Sequence, residues 1–192
     1  MRKDFYIFRH GETDYNLEKR WQGCGIDTDL NETGICQAKA LVEKLASKNL
    51  EIIYSSALKR ALKTAEIIAD SLNLEVKVIK DLREGSFGES EGLRKDEAAL
   101  KYPEIFNLWY DEKADHLDVA FPGGETKRQM QQRMLGVLEG LLKTRESVIG
   151  IASHGSSIRY LLLGFGKILG RLTNTALFHV VYEDGEWRVE DE

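Results

Sequence analysis

Two short apolar runs in this chain end in the same way. Phe5-Tyr6-Ile7-Phe8 leads into Arg9-His10-Gly11, and Val148-Ile149-Gly150-Ile151-Ala152 leads into Ser153-His154-Gly155. Runs that are apolar at every position suit strands covered on both faces, as in a parallel sheet flanked by helices. Helical stripes lie between them. Asn31 or Thr33 can cap a helix buried along Ile35, Ala38, Leu41, Val42 and Leu45. Ile52-Ile53-Tyr54 forms the next strand, after which Leu58, Leu62, Ala65, Ala69 and Leu72 recur at helical spacing. Leu74, Val76 and Val78 alternate with Glu75 and Lys77, as in a half-exposed third strand.

Residues 80–125 read as irregular, with helical patches near 94–102 and 103–110. Gly123-Gly124 turns the chain into a helix over about 125–143, striped by Met130, Met134, Val137, Leu138 and Leu141. Another helix follows the fourth strand through Ile158–Leu163. Asp184-Gly185, a dipeptide suited to a tight primed turn, joins hairpin strands at Leu177–Tyr182 and Trp187–Val189. The alternation predicts an α/β fold, a three-layer α/β/α sandwich with a largely parallel central sheet, in one domain over residues 1–192.

Charge narrows the possible partners. With 27 Lys plus Arg against 32 Asp plus Glu, the net charge is −5, which excludes a general nucleic-acid binder. A small anionic substrate stays open, but only through a local cationic cluster. Two cysteines, Cys24 and Cys36, are too few for a structural zinc site and do not demand a disulfide. No apolar run approaches the ~20 residues that span a bilayer, so no membrane partner is expected. Met1-Arg2-Lys3-Asp4 leads into a strand rather than a signal-peptide apolar region, and a cytoplasmic location is expected. The sequence leaves oligomeric state open.

In open parallel sheets ligands bind outside the carboxyl ends of the strands. If the strands are neighbours, Arg9-His10, Arg60, Arg83-Glu84 and His154 converge on one rim. A histidine fixed between a strand end and a glycine, with an ordinary pKa near ~6.5, is a nucleophile in its neutral form. Arg9 and Arg60 match phosphate oxygens with paired hydrogen bonds, and peptide N–H groups at the start of the 57–71 helix and around Gly155 can add contacts. A protonated His154 across the phosphate would stabilise the charge that develops during transfer. Glu84 is the candidate general acid, since a bound dianion favours its protonated form. No histidine pair has metal-ligand spacing, so phosphoryl transfer with neither metal nor cofactor is expected. His116 reads as an exposed loop residue and His179 as a hairpin residue, neither with a role.

Taken together, Arg9-His10-Gly11-Glu12-Thr13, Asn16, Gln22-Gly23, Ser55-Ser56, Arg60-Ala61, Thr64-Ala65, Leu82-Arg83-Glu84, Gly88, Glu91-Gly92, Ser153-His154-Gly155 and Ile158-Arg159 resemble the histidine phosphatase superfamily, the phosphoglycerate-mutase-like group. The resemblance implies a phosphoglycerate mutase-like fold in which His10 is phosphorylated by the substrate and then dephosphorylated by water. It implies that Arg9, Arg60 and His154 bind the phosphoryl group and that Glu84 shuttles the proton. Asn16, Gln22, Gly23 and the Gly155 N–H would line the phosphate pocket.

Mutases of this family carry an arginine pair that grips a substrate carboxylate. An ungapped count from Glu84 places that pair on Asp111 and Glu112. Lys95 falls where mutases place a substrate lysine, whereas Phe121-Pro122-Gly123-Gly124-Glu125-Thr126 resembles the short phosphatases. The expectation is therefore a metal-independent phosphatase acting on a small phosphorylated metabolite. A cofactor-dependent phosphoglycerate mutase is the alternative, and a phosphate-binding regulatory protein without turnover a more distant one. Specificity is expected from residues 93–125, where Trp109, Tyr110 and Phe121 form either an apolar lid or part of the core.

Overall fold

The computed structural model describes residues 1–111 and 116–190. Among them, six strands form a sheet: β1 (Arg2–Arg9), β2 (Ile52–Ser55), β3 (Val76–Val78), β4 (Val148–Ser153), β5 (Leu177–Glu183) and β6 (Glu186–Glu190). Their order is β3-β2-β4-β1-β5-β6. The first four are parallel, while β5 runs antiparallel to β1 and β6 antiparallel to β5. The α/β sandwich with a largely parallel sheet is thus the observed fold. The helices are α1 (Asp14–Leu17), α2 (Glu32–Leu45), α3 (Lys59–Leu72), α4 (Lys95–Lys101), α5 (Pro103–Tyr110), α6 (Lys127–Leu141) and α7 (Gly155–Gly164).

The continuous apolar run of β1 is divided between two cores. Phe5 and Ile7 pack on one face with Met134, Leu138 and Leu141 of α6 and Ile158 and Leu161 of α7. Tyr6 and Phe8 pack on the other with Leu41 and Leu45 of α2 and Ala65, Ile68 and Ala69 of α3. Each fully enclosed large side chain here contributes about 1.5–3 kcal/mol of transfer free energy. A third apolar cluster, with Trp21, Phe87, Trp109, Phe121, Met130 and Tyr160 at its centre, adjoins the site described below.

Local chemistry sets the element ends. Asn31, rather than Thr33, caps α2, its Oδ1 accepting from the Gly34 N–H at 2.8 Å. Thr126 and Gln129 form a reciprocal capping box that starts α6 at Lys127. Pro103 splits the 94–110 region into α4 and α5, because it lacks the N–H a continuing helix needs and suits a first turn. Asp184 and Gly185 take φ of 52° and 96°, the two positive values of a primed hairpin turn. The third strand is shorter than its alternation suggests, covering Val76–Val78 at the sheet edge.

β1 and β4 are neighbours in the middle of the sheet, and their chains leave to opposite faces. β1 runs on towards α2, and β4 turns straight into α7 on the other side. That divergence opens a crevice at the carboxyl ends, the place where such sheets bind ligands.

Candidate active site

The β1–β4 register pairs Arg9 with Ser153, and the His10 N–H donates to the Ser153 carbonyl at 3.1 Å. The residue following each strand therefore lies beside its counterpart. His10 and His154 sit with ring centroids 5.2 Å apart. Both rings are enclosed by protein, at 3% and 0% exposure.

Nδ1 of His10 donates to the Gly11 carbonyl at 2.6 Å, since a carbonyl oxygen only accepts. That bond fixes the tautomer and leaves the Nε2 lone pair unengaged by protein among the described residues. Burial first, then the positive charges of Arg9 and Arg60, hold the imidazole well below its usual pKa. His10 is consequently neutral, and it lines a cavity. Gly11 must be a glycine, because a Cβ there would meet the Gly34 carbonyl oxygen of α2.

His154 is not among the cavity-lining residues. Its Nε2 lies 2.8 Å from Ser56 Oγ, and its buried Nδ1 has no partner among the described residues. Burial, followed by Arg60, His10 and Arg9, holds this ring well below its usual pKa too. His154 is thus held neutral by its protein surroundings alone, and the protonated form expected of it belongs with a phosphate across from the ring. The reason is physical: an enclosed imidazole between two guanidiniums is protonated only when an anion offsets them.

The arginines are committed in part. Arg9 donates through Nη1 to the Leu172 carbonyl at 2.6 Å, and burial brings its pKa down to about 10. Arg60 donates to the carbonyls of Ile26 and Gly23 at 2.8 and 2.7 Å, pinning the 22–27 loop over α3. In both residues the buried Nε lacks a partner among the described residues. Buried donors without acceptors are costly, and two of them beside a neutral nucleophile fit an anionic guest.

Glu84 is bound at the amino end of α7. Its Oε1 accepts from the N–H of Gly85 and Ser157 at 3.0 Å and from Ser157 Oγ at 3.1 Å, and its Oε2 accepts from the Ser156 N–H at 3.1 Å. The positive end of the helix therefore faces this carboxylate. Two foreseen sources of anion contacts are already occupied. Ser156 and Ser157 serve Glu84, while at the start of α3 the N–H groups of Leu58 and Lys59 go to Ser56 Oγ and Asp27 Oδ1. Gly155 itself lines the cavity, where a Cβ would lie 3.3 Å from Arg9 Nε.

Asn16, Gln22 and Gly23 also line the cavity. Asn16 Oδ1 accepts from Asn174 Nδ2 at 3.0 Å, and Gln22 Oε1 from Thr28 Oγ1 at 2.6 Å. Gly23 has φ of 60°, and a Cβ there would collide with the Glu91 carboxylate. Glu91 in turn accepts from the Phe87 and Gly25 N–H groups, joining two loops of the site.

Four further cations on the wall carry no role from the sequence. Lys19, Arg20, Arg159 and Arg171 line it beside Lys95, Trp21 and Tyr110. Seven cationic side chains and one carboxylate thus face one cavity in a chain of net charge −5. Arg20 and Arg83 form ion pairs with Glu18 at 2.7 Å and Glu125 at 3.0 Å. Phe121 is enclosed at 1% exposure as a core residue, whereas Trp109, enclosed at 2%, and the half-buried Tyr110 also border the cavity. Asp111 lines a separate small cavity, and Glu112 and Lys113 lie outside the described residues. His116 is half-buried 3.4 Å from Asp111, and His179 stacks on Tyr6 and meets Asp4 at 2.7 Å. Both cysteines are free thiols.

Among the described residues, no three His, Cys, Asp or Glu side chains gather at metal-holding distance, and no helix is long and apolar enough to cross a membrane. A family model for the histidine phosphatase superfamily, branch 1, matches residues 5–191. A metal-independent phosphoserine phosphatase of Arabidopsis thaliana is 35% identical over 97% of this chain and 79% of its own length. A 2,3-bisphosphoglycerate-dependent phosphoglycerate mutase of Mesorhizobium japonicum is 33% identical over 85% of this chain and 81% of its own. Among solved structures, a mycobacterial glucosyl-3-phosphoglycerate phosphatase in complex with VO3 superposes with a TM-score of 0.87 at 26% identity, covering 98% of this chain and 97% of that one. The family match spans nearly the whole chain and includes both strand-end histidines, and the chain belongs to the histidine phosphatase superfamily, branch 1, as a phosphatase enzyme.

Proposed function

We propose that this protein hydrolyses small phosphomonoesters through a phosphohistidine at His10, with neither metal nor organic cofactor. The observation that carries this reading is the state of the His10 ring. It is neutral, its Nδ1–H is locked on the Gly11 carbonyl, its Nε2 has no protein partner among the described residues, and the ring lines a cavity bordered by Arg9 and Arg60. A lone pair fixed in place beside two guanidiniums is an in-line nucleophile for a phosphorus atom held between them.

In the first half-reaction the His10 Nε2 lone pair forms the N–P bond while the ester O–P bond breaks. Glu84 delivers its proton to the departing oxygen, so the alcohol leaves neutral. The Gly11 carbonyl keeps its hydrogen bond to Nδ1–H and stabilises the positive charge on the phosphorylated ring. In the second half-reaction Glu84 takes a proton from water, the oxygen attacks phosphorus, and the N–P bond breaks, restoring His10. The unpartnered Nε atoms of Arg9 and Arg60 hold the equatorial oxygens. His154, 5.2 Å from the His10 ring, takes up a proton with the arriving dianion, and its charge then stabilises the transferring oxygens. Asn16, Gln22, Gly23 and the Gly155 N–H complete the phosphate pocket. The two free thiols suit a reducing compartment and support a cytoplasmic location.

The test is inorganic phosphate release from p-nitrophenyl phosphate in excess EDTA, with His10→Ala as control. Turnover should survive chelation and vanish with His10→Ala, together with the acid-labile phosphoenzyme. Loss of turnover in EDTA, or a phosphoenzyme that persists in the variant, overturns the assignment. A mutase reading is favoured by one observation, Lys95 on the cavity wall. It predicts instead isomerisation of phosphoglycerate that depends on a bisphosphoglycerate primer.

A further inference from the structure

A short stretch of chain between α7 and β5 reaches Arg9, His10 and Asn16 from behind. The Leu172 carbonyl accepts from Arg9 Nη1 at 2.6 Å, and the Ala176 carbonyl from the Arg9 N–H at 3.0 Å. Between them, Asn174 Nδ2 donates to the His10 carbonyl at 3.2 Å and to Asn16 Oδ1 at 3.0 Å. The Thr175 N–H donates to the same His10 carbonyl at 3.3 Å. Thr175 has φ of 56°, a left-handed conformation that is costly for a β-branched residue and persists where the surroundings impose it. On the other edge of the His10–Gly11 peptide, the Gly11 N–H donates to Thr64 Oγ1 at 3.1 Å. Asn174 is half-buried and stands outside the cavity wall.

The contact with Asn16 has a chemical consequence. A carboxamide presents an acceptor on one edge and donors on the other. Asn16 lines the cavity, and its Oδ1 accepts from Asn174 and also from the Thr13 N–H at 3.3 Å. A backbone N–H only donates, so the Asn16 atom facing Thr13 is the oxygen. The Nδ2 edge is left without a protein acceptor among the described residues, and it is the edge open to an anion. Turned the other way, Asn16 would set an acceptor against a phosphate oxygen.

We propose that Asn174 is a positioning residue for phosphoryl transfer: it fixes the Asn16 carboxamide in the orientation that donates to the phosphate, and it holds the peptide that carries His10. This rests on the phosphatase reading above. One amide group performs both tasks, so the phosphate ligand and the nucleophile are set relative to each other. A donor already aimed at the place where charge gathers needs no reorganisation during the reaction, whereas one free to turn does. When Asn174 is altered, the Thr175 N–H still serves the His10 carbonyl, and the loss falls on Asn16.

The experiment is a double-mutant cycle on p-nitrophenyl phosphate hydrolysis, with the wild type, Asn174→Ala, Asn16→Ala and the double variant. Asn174→Ala should lower kcat/KM about tenfold and weaken inhibition by inorganic phosphate about fivefold, as one charge-assisted donor loses its alignment. In the Asn16→Ala background the same change should cost less than about twofold in either quantity, because the group it positions is gone. Asn174→Ser, whose hydroxyl stands one bond short of the carboxamide nitrogen, repeats the cycle and decides the matter if the alanine variant does not fold. Losses that multiply across the two sites would show that Asn174 acts through general stability alone, and they overturn the assignment. A wild-type kcat/KM in the Asn174 variants overturns it too, and either result leaves the phosphatase reading standing. A wild type that releases no phosphate removes the phosphatase reading, and the assignment falls with it.

Discussion

Lowering the pH from 7.0 to 5.0 should destabilise this fold by up to about 4 kcal/mol through two side chains, His10 and His154. Both are enclosed, and both are held well below their usual pKa by burial and by Arg9 and Arg60. In the unfolded chain each titrates near ~6.5. Below that pH the unfolded chain binds two protons that the folded protein refuses, so stability falls as the pH falls and is retained in full above it. The limiting slope is about 1.4 kcal/mol per pH unit for each group. Between pH 7.0 and 5.0 this integrates to about 2 kcal/mol per histidine while the folded values stay below that window. Urea denaturation of the wild type, His10→Asn and His154→Asn at both pH values measures it. Each variant should lose part of the pH dependence, up to about 2 kcal/mol, because the carboxylates are common to all three proteins and cancel in the difference. A variant that keeps the wild-type pH dependence would show that its imidazole is not held neutral, and the account of a neutral nucleophile would fail with it.

Replacing Glu84 with Gln should slow phosphoenzyme formation most for alkyl phosphates and least for p-nitrophenyl phosphate, whose leaving group departs without a proton. Equal losses in single-turnover rates on both substrate types would remove Glu84 as the acid. Glu125 accepts from Arg83 at 3.0 Å and from Arg133 at 2.9 and 3.0 Å, while Arg133 also donates to the Arg83 carbonyl, so this cluster holds the segment that carries Glu84. Glu125→Gln removes the charge but keeps the shape. It should cost about 2 kcal/mol in chemical denaturation, because the enclosed Arg133 loses its counter-charge while Arg83, one-third exposed, is screened by solvent. It should also lower kcat for alkyl phosphates more than KM changes. A stability loss below about 1 kcal/mol would show the cluster to be solvent-screened.

Much of the site was legible because strand ends are a local property of sequence. An apolar run followed by His-Gly marks where a strand stops, and the two such runs are the paired neighbours β1 and β4. Helix stripes were legible for the same reason, with one shift. Leu58, Leu62 and Leu72 are half-buried, and the enclosed edge of α3 includes Arg60 and Thr64 instead. That edge faces the site, where a guanidinium tied to the Gly23 and Ile26 carbonyls is better accommodated than leucine.

Residue order and periodicity by themselves determined the α/β alternation, the strand-end histidines, the capped helices and the primed hairpin turn. Each of these depends on a few adjacent residues and on the backbone's small set of conformations. Only the tertiary structure decided which N–H groups remain free, that the amino end of α7 serves Glu84, and that His154 is neutral without a guest. It alone brought Arg171 across to Lys95, from a connection that carries no periodic signal. Hydrogen bonding and electrostatics depend on distance in space. The folded chain places residues 76 positions apart at one opening, a separation no local pattern records.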